Sequence, residues 1–409
     1  PRLSHGPVLY SRGCLVVIAL TTYEDARDAF RRRELRQALY DDGVELMADV
    51  IVNLHGEPHL DRRRLENRLF RRDTFAWYEA ERIPPIIERV IGPNVRSGHG
   101  DLLPMARRVM MSLSVDVAGV DLPDDSEEEF DTFYELMDRL AKASTVAHAT
   151  GDRDAIRARG RAALREFEER FFAPSLERRR RLIAATHDPS ELPRDVLTTL
   201  LVNAERLELA DDVVLREVAY FPWVGSHSTS GQLVHAMHHI FRWLEDGRGR
   251  RESLVSEPDL LQRFVHESMR LHPASPVAMR RSLEALNLRS GVEIPADESV
   301  AIGVEAANRD ESVFGEDATE FNPMRALPDG VSPWGLSFGH GAHACLGQEL
   351  AGGLEPEDAH QHHLLGAVTL MAGRLLELGA EPDPAHPASL DSATTRVAWG
   401  SYPVIFPVG

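Results

Sequence analysis

One of the chain's two cysteines sits in Ser337-Phe338-Gly339-His340-Gly341-Ala342-His343-Ala344-Cys345-Leu346-Gly347-Gln348. Its glycines recur at uneven intervals that suit neither helix nor strand. The stretch therefore reads as a loop whose backbone turns sharply or approaches something closely. Gln348-Glu349-Leu350-Ala351 then reads as the start of a helix. A thiolate just ahead of a helix N-terminus lies near partly positive N–H groups, which keep it ionised and tune it. The alternative is a buried structural cysteine in a Gly-rich turn.

Three other stretches carry chemistry. His59 and Arg63 are four apart in His59-Leu60-Asp61-Arg62-Arg63-Arg64-Leu65-Glu66-Asn67-Arg68-Leu69-Phe70, so they share a helical face. Leu65, Leu69 and Phe70 supply its apolar stripe, and an arginine-rich surface helix is the plainer reading. Glu267 and Arg270, three apart on a helix expected from Leu260 to Leu271, can pair. The third stretch, Pro222-Trp223-Val224-Gly225-Ser226-His227-Ser228-Thr229, lies inside the longest expected helix, Leu209 to Leu244, with Asp211 as its cap. Pro222 removes a backbone donor and should kink the helix, and Gly225 lets something pack close. Further along, His235, His238 and His239 have spacings that can gather metal ligands. Without a carboxylate partner they read as polar residues on the helix's outer side, and His360, His362 and His363 read the same way.

The elements that position these residues follow from pattern. Leu15 to Leu20 reads as a short buried strand, and Thr22 caps a helix expected to reach about Ala38. Asp41 to Leu54 reads as a loop. Phe75 to Glu191 reads as several helices broken at Pro84-Pro85, Gly92-Pro93, Pro104, Gly151 and Pro174, with an acidic turn at Asp124 to Glu129. The chain turns strand-like after Pro273 and Pro276, and Thr395 to Val408 reads as paired strands. No repeat or linker interrupts the 409 residues, so a single domain over 1–409 is expected.

Composition narrows the function classes. A net charge of −19 argues against general nucleic-acid binding. Two cysteines, Cys14 and Cys345, give no disulfide framework and fit a reducing, cytoplasmic setting. The apolar run from Cys14 to Leu20 is too short to cross a bilayer and makes a poor signal peptide, so no membrane association is expected. The first residue is not Met, which leaves room for an N-terminal extension.

Phe338-x-x-Gly341-x-x-x-Cys345-x-Gly347, with Gly339 and His343 in place, resembles the haem-binding loop of the cytochrome P-450 family. The resemblance extends along nearly the whole chain and implies a mainly α fold with small β-sheets. It implies that Cys345 is the axial thiolate of the iron of haem b (iron protoporphyrin IX), that Phe338 packs beside the sulfur, and that Gly339 and Gly347 let backbone N–H groups approach it. His59, Arg63, Arg281 and His343 would hold the haem propionates, Arg281 because it lies ten residues before Gly291 in Arg281-Ser282-Leu283…Gly291-Val292-Glu293-Ile294-Pro295. The remaining arginines near 62–72 would face the surface where an acidic ferredoxin docks. Glu267 and Arg270 match the family's structural E-x-x-R, with Arg325 of Phe321-Asn322-Pro323-Met324-Arg325 as third member. The segment at Gly225 resembles the central helix that crosses the haem, with His227 at the acid position, Ser228 at the alcohol position and Thr229 after it.

Two departures stand out. His227 replaces a carboxylate, so it either relays protons, packs against the roof loop, or contacts substrate or iron. Gly352-Gly353 replaces the usual arginine, and Pro356 should interrupt the helix after the cysteine. The implied function is oxidation of a small organic substrate by dioxygen, with electrons from a ferredoxin and ferredoxin reductase. A peroxide-driven or non-hydroxylating enzyme of the same fold, and a non-catalytic haem protein, remain the alternatives.

Overall fold

The computed structural model describes residues 8–12, 15–122, 124, 126–354 and 363–407. Cys14, Pro356, His360 and His362 lie outside the described residues. The chain forms two compact units, residues 1–39 with 235–348 and residues 40–234 with 349–409. Helices dominate and the sheets are small.

The first unit is built on a five-stranded sheet with strand order Val8–Arg12, Leu15–Leu20, Ser299–Gly303, Val277–Ser282, Leu35–Gln37. Leu15–Leu20 runs parallel to Ser299–Gly303, and the other pairings are antiparallel. Thr22 caps the following helix, its Oγ1 accepting from the Asp25 N–H at 3.2 Å. That helix is Tyr23–Arg31 and stops well short of Ala38. Sheet pairing is the reason: Leu35 to Gln37 lie opposite Ser282 to Arg280, with Leu35 and Gln37 buried. Ala26, Ala29 and Phe30 then pack with Leu20, Val300, Ile302, Val304 and Phe314 into one apolar core.

The Pro258–Leu271 helix starts with proline in its first turn and buries Leu261, Phe264, Val265 and Met269. It also buries two charges. Glu267 takes Arg270 in a two-point bond, Nη2 to Oε1 and Nε to Oε2, both at 2.7 Å. Arg325 donates to the same Oε1 at 3.2 Å. Other guanidinium hydrogens go to carbonyls, Arg270's to those of Asn308, Ala318 and Glu320 and Arg325's to those of Phe314, Asp317 and Glu320, and Arg325 also donates to the Asp317 carboxylate. Arg270 is completely buried, so every one of these bonds replaces a lost water.

The second unit is a helical assembly. Gly56–Glu66, Ile83–Ser97, Leu102–Ala118, Glu127–Ser144, Arg153–Phe167, Ala173–Ala185 and Val196–Val202 are joined by short turns. Glu127 to Glu129, read from sequence as part of a turn, form the first helical turn of Glu127–Ser144, capped by Ser126. Phe133 meets Phe167 and Phe171 edge to face at 6.1 and 5.3 Å, and Phe167 and Phe171 stack at 6.4 Å. His99–Asp101, Pro403–Ile405 and Glu381–Pro382 make a small antiparallel sheet, and Ser389–Leu390 pairs with Trp399–Ser401. The Asp211–Glu245 helix continues through Pro222, and Asp211 begins its first turn rather than capping it.

Replacing Glu267 by Gln leaves the Arg270 guanidinium in the interior without its counter-charge, while Arg325 keeps Asp317. Glu267→Gln should cost about 3–5 kcal/mol in urea unfolding, against less than about 1 kcal/mol for removal of the exposed Glu45–Arg161 pair. Equal losses would show that the buried pair does not organise this unit.

Candidate functional site

The cysteine loop is anchored from behind by one side chain. Asn308 Oδ1 accepts from the Leu336 N–H at 2.8 Å, and its Nδ2 donates to the Arg270 carbonyl at 2.8 Å and to Ser337 Oγ at 2.9 Å. Ser337 Oγ donates in turn to the Met269 carbonyl. The loop thus begins on the back of the Glu267–Arg270 helix. Gly339 and Gly341 then adopt φ of +69° and +72°. At Gly341 a Cβ would meet the Phe30 carbonyl oxygen at 2.6 Å, so only glycine allows the turn to lie there. The Cys345 N–H closes the loop on the Phe338 carbonyl at 2.8 Å, leaving the Cys345 side chain exposed. Phe338 packs edge-on against Trp334. His343 ends a short 3₁₀ turn and is half-buried. A Cβ at Gly347 would meet nothing within 4 Å. The helix after the loop, Gln348–Gly352, has only five residues and so offers the thiol a weak dipole.

In the same unit, strand Val277–Ser282 separates two neighbouring arginines by its alternation. Arg281, selected above by its distance from Gly291, faces outward and is held by Asp297 at 2.7 Å and Ser299 at 3.1 Å. Arg280 faces inward and is 6% exposed. Its Nη1 donates to Gln37 Oε1 and to the Met279 carbonyl, each at 2.9 Å, and its guanidinium lies over the Phe30 ring. No carboxylate among the described residues pairs with it, and burial lowers it to about 10. Arg280 is thus a buried cation with no counter-charge. Spacing alone missed it, because two adjacent arginines differ only in which face of the strand they occupy.

In the second unit, His59 is 2% exposed, and burial, helped by Arg63 and His55, lowers it to about 4, so it is neutral. Arg63 is half-buried on the same helix. Arg62, read from sequence as one of a surface run, is buried and bonded to Glu217 at 2.7 Å. Gly225 faces Ser114 of the Leu102–Ala118 helix, whose Oγ a Cβ would meet at 2.8 Å. The close approach expected at this glycine is therefore a helix–helix contact.

His227 points to the Glu127–Ser144 helix. Its Nδ1 lies 3.0 Å from the Trp223 carbonyl, and its Nε2 lies 3.4 Å from Asp138 Oδ1. Burial lowers the histidine below its ordinary value, and Asp138 offsets this only in part. A neutral ring with its proton on Nδ1 satisfies the shorter contact and accounts for the longer one. Asp138 also holds Lys142 at 2.5 Å, and these partners keep its carboxyl well below the ordinary range despite burial. Ser228 Oγ donates to the Val224 carbonyl at 2.7 Å, which leaves its lone pairs available, and Thr229 is buried.

The histidines further along this helix belong to an aromatic stack. His235 lies face to face with His272 at 4.3 Å, His239 with Phe321 at 4.3 Å, and the Nε2 atoms of His239 and His272 are 2.8 Å apart. Burial lowers His235 to about 4, His239 to about 3 and His272 to about 2, so the stack is uncharged near neutrality. Among the described residues no cluster of histidine, cysteine or carboxylate side chains is arranged to hold a metal ion, and no helix is long and apolar enough to cross a membrane.

Residues 237–352 match the family model for Cytochrome P450. The chain is 32% identical over 166 residues to the Steroid C26-monooxygenase of Mycolicibacterium smegmatis, covering 39% of this chain and 37% of that protein. It is 32% identical over 160 residues to the Erythromycin C-12 hydroxylase of Saccharopolyspora erythraea, covering 39% and 38%. The chain thus spans less than two-fifths of the length of these curated relatives. Over the whole fold it superposes on the crystal structure of CalO2 with TM-score 0.77 at 20% identity, covering 99% of this chain and 94% of that one. P450BioI, solved in complex with hexadec-9Z-enoic acid ligated acyl carrier protein, gives 0.76 at 19% identity, covering 98% and 96%. The matched segment contains both the Glu267–Arg270 pair and the Cys345 loop, and the chain has the cytochrome P-450 fold throughout.

Proposed function

We propose that this chain is a haem-thiolate monooxygenase acting on a small organic molecule. The observation that carries the reading is the presentation of Cys345: its side chain is exposed on a loop anchored through Leu336 and Ser337 and closed by the Cys345 N–H on the Phe338 carbonyl. The family implies a haem cofactor, and the residues present fit it. Beside the thiol, the first unit holds a buried guanidinium lacking a carboxylate, and a glycine whose missing Cβ would meet no protein atom. Haem b, when bound, supplies dioxygen activation with electrons delivered through a ferredoxin and ferredoxin reductase.

The remaining chemistry falls to the chain's own groups. The Cys345 thiolate would hold the haem iron, and Phe338 would shield the sulfur. Arg280 takes a propionate as its counter-charge, in place of Arg281, which Asp297 already occupies. His343, His59 and Arg63 are assigned to the same carboxylates by the family resemblance. His227 rests neutral and would accept a proton at Nε2, where Asp138 stabilises the charged ring; Ser228, whose hydroxyl donates to the Val224 carbonyl, is assigned to the same relay by the family resemblance. Thr229 stands next in line as a second hydroxyl. The acidic net charge and the two cysteines support a cytoplasmic protein with no nucleic-acid partner. The two bacterial relatives are named for oxidation of a steroid and of erythromycin, which supports an organic substrate with an unactivated C–H bond.

His227 in an acid position favours one second reading, a peroxide-driven enzyme that needs no carboxylate relay. Both are tested together. The haem-loaded protein, given a ferredoxin, its reductase, NADPH and a panel of organic substrates, should form a product carrying oxygen from dioxygen. Product with hydrogen peroxide alone would establish the second reading instead, and no product under either condition would leave a haem-binding protein.

Two substitutions test the residue roles. His227→Ala should lower the fraction of electrons recovered in product by about tenfold or more, the low end of a lost acid–base contribution, and raise peroxide release while substrate binding stays unchanged. Wild-type coupling in that variant would remove the relay. Arg280→Ala should lose haem on gel filtration faster than Arg281→Ala, and equal retention would contradict the assignment of Arg280.

A further inference from the structure

Two carboxyl groups and one guanidinium meet in the interior of the second unit. Glu66 and Glu217 are both 0% exposed, and Arg62 is 4% exposed. Glu217 is well supplied with donors. It accepts from the Ile51 N–H at 2.9 Å and from Arg62 Nη1 at 2.7 Å. Glu66 is the opposite case, since among the described residues no group donates to either of its oxygens; Arg62 Nε likewise finds no acceptor there. The charged groups facing Glu66 are Arg62 and Arg63 on its own helix and Glu217 on the Asp211–Glu245 helix.

An ionised carboxylate buried without a donor is among the least favourable groups a protein interior can hold. Here it would also stand beside a second carboxylate with one fully buried guanidinium between them. Charge and donors both favour Glu217 as the ionised member. We propose that Glu66 is a proton-binding site, and that its bound proton keeps the Arg62–Glu217 pair intact as a latch joining the Ile51 turn and the Gly56–Glu66 helix to the Asp211–Glu245 helix. When Glu66 gives up its proton, a second buried carboxylate competes for Arg62 and the latch loosens. Burial first, and Glu217 second, push Glu66 well above the ordinary range; Arg62 and Arg63 oppose them in part.

The sign of the pH effect follows from linkage. Above the ordinary glutamate value of about 4.3 the unfolded chain releases this proton while the fold retains it. Stability is therefore greatest below that value and falls as pH climbs toward the folded value. The folding equilibrium constant drops up to about tenfold per pH unit for one retained proton. The Gly56–Glu66 helix also carries His59 and Arg63, which the haem reading assigns to the propionates; the proton does not rest on that reading.

Infrared spectroscopy of the protein at about pH 8, above the ordinary glutamate value and above the value of about 7 to which burial raises Glu217, tests the site. Wild type should show a protonated-carboxyl C=O band that is missing from Glu66→Gln. It should also be missing from Glu217→Gln, because Glu66 then has Arg62 to itself and ionises. Urea unfolding as a function of pH should show the slope of about tenfold per unit in wild type and a slope flatter by one proton in Glu66→Gln. Glu66→Met, equally neutral, repeats both arms should the amide disturb packing. Hydrogen exchange at the Ile51 amide should rise at alkaline pH beyond its intrinsic rate in wild type only. A band that survives in Glu66→Gln and Glu66→Met, or pH–stability curves that run parallel in wild type and both variants, would overturn the proposal.

Discussion

The first unit depends on a charge that has nowhere else to go. Arg270 is fully buried, and its guanidinium is satisfied only because Glu267 meets it at two points and backbone carbonyls from three later segments turn toward it. A buried ion pair adds little net stability over apolar packing of the same volume, but it is unforgiving about geometry. Each carbonyl that Arg270 or Arg325 uses fixes one stretch of irregular chain between 308 and 320. Asn308 passes that order on, spending its amide on the Arg270 carbonyl and on Leu336 and Ser337 at the foot of the cysteine loop. A glycine-rich loop with little regular secondary structure of its own thereby receives a defined start.

The same physics sorts the molecule's other buried charges. Glu267 has three partners, Arg270, Arg325 and the Asn322 N–H, and is structural. Arg280 has a neutral amide and a carbonyl but no carboxylate, which is the condition of a group awaiting an anionic ligand. Glu66 has no donor among the described residues, which is the condition of an acid that keeps its proton. In each case the count of hydrogen-bond partners says more than the residue type does.

Much of this was legible in the sequence. The uneven glycines around Cys345, the Glu267–Arg270 spacing and the Arg325 loop are local patterns, and local patterns survive translation into structure. So did the long helix and the Thr22 cap. What failed were questions of partner and facing. The helix after Thr22 ends at Arg31 because Leu35 to Gln37 are taken by a strand more than two hundred residues away in sequence. Choosing between Arg280 and Arg281 required the strand's orientation. Gly225 needed knowledge of Ser114, and the buried state of Arg62 and Glu66 needed Glu217. His235 and His239 looked like outer-face polar residues because nothing in their spacing announces His272 and Phe321 as stacking partners.

The account stands on Cys345 as the ligand of the haem iron. The most direct measurement is the absorption spectrum of the reduced, carbon-monoxide-bound protein in wild type and in Cys345→Ala. Wild type should show the red-shifted band of thiolate-ligated haem, and the variant should lack it. A Cys345→Ala protein that retains haem and still shows that band would contradict the assignment at its root.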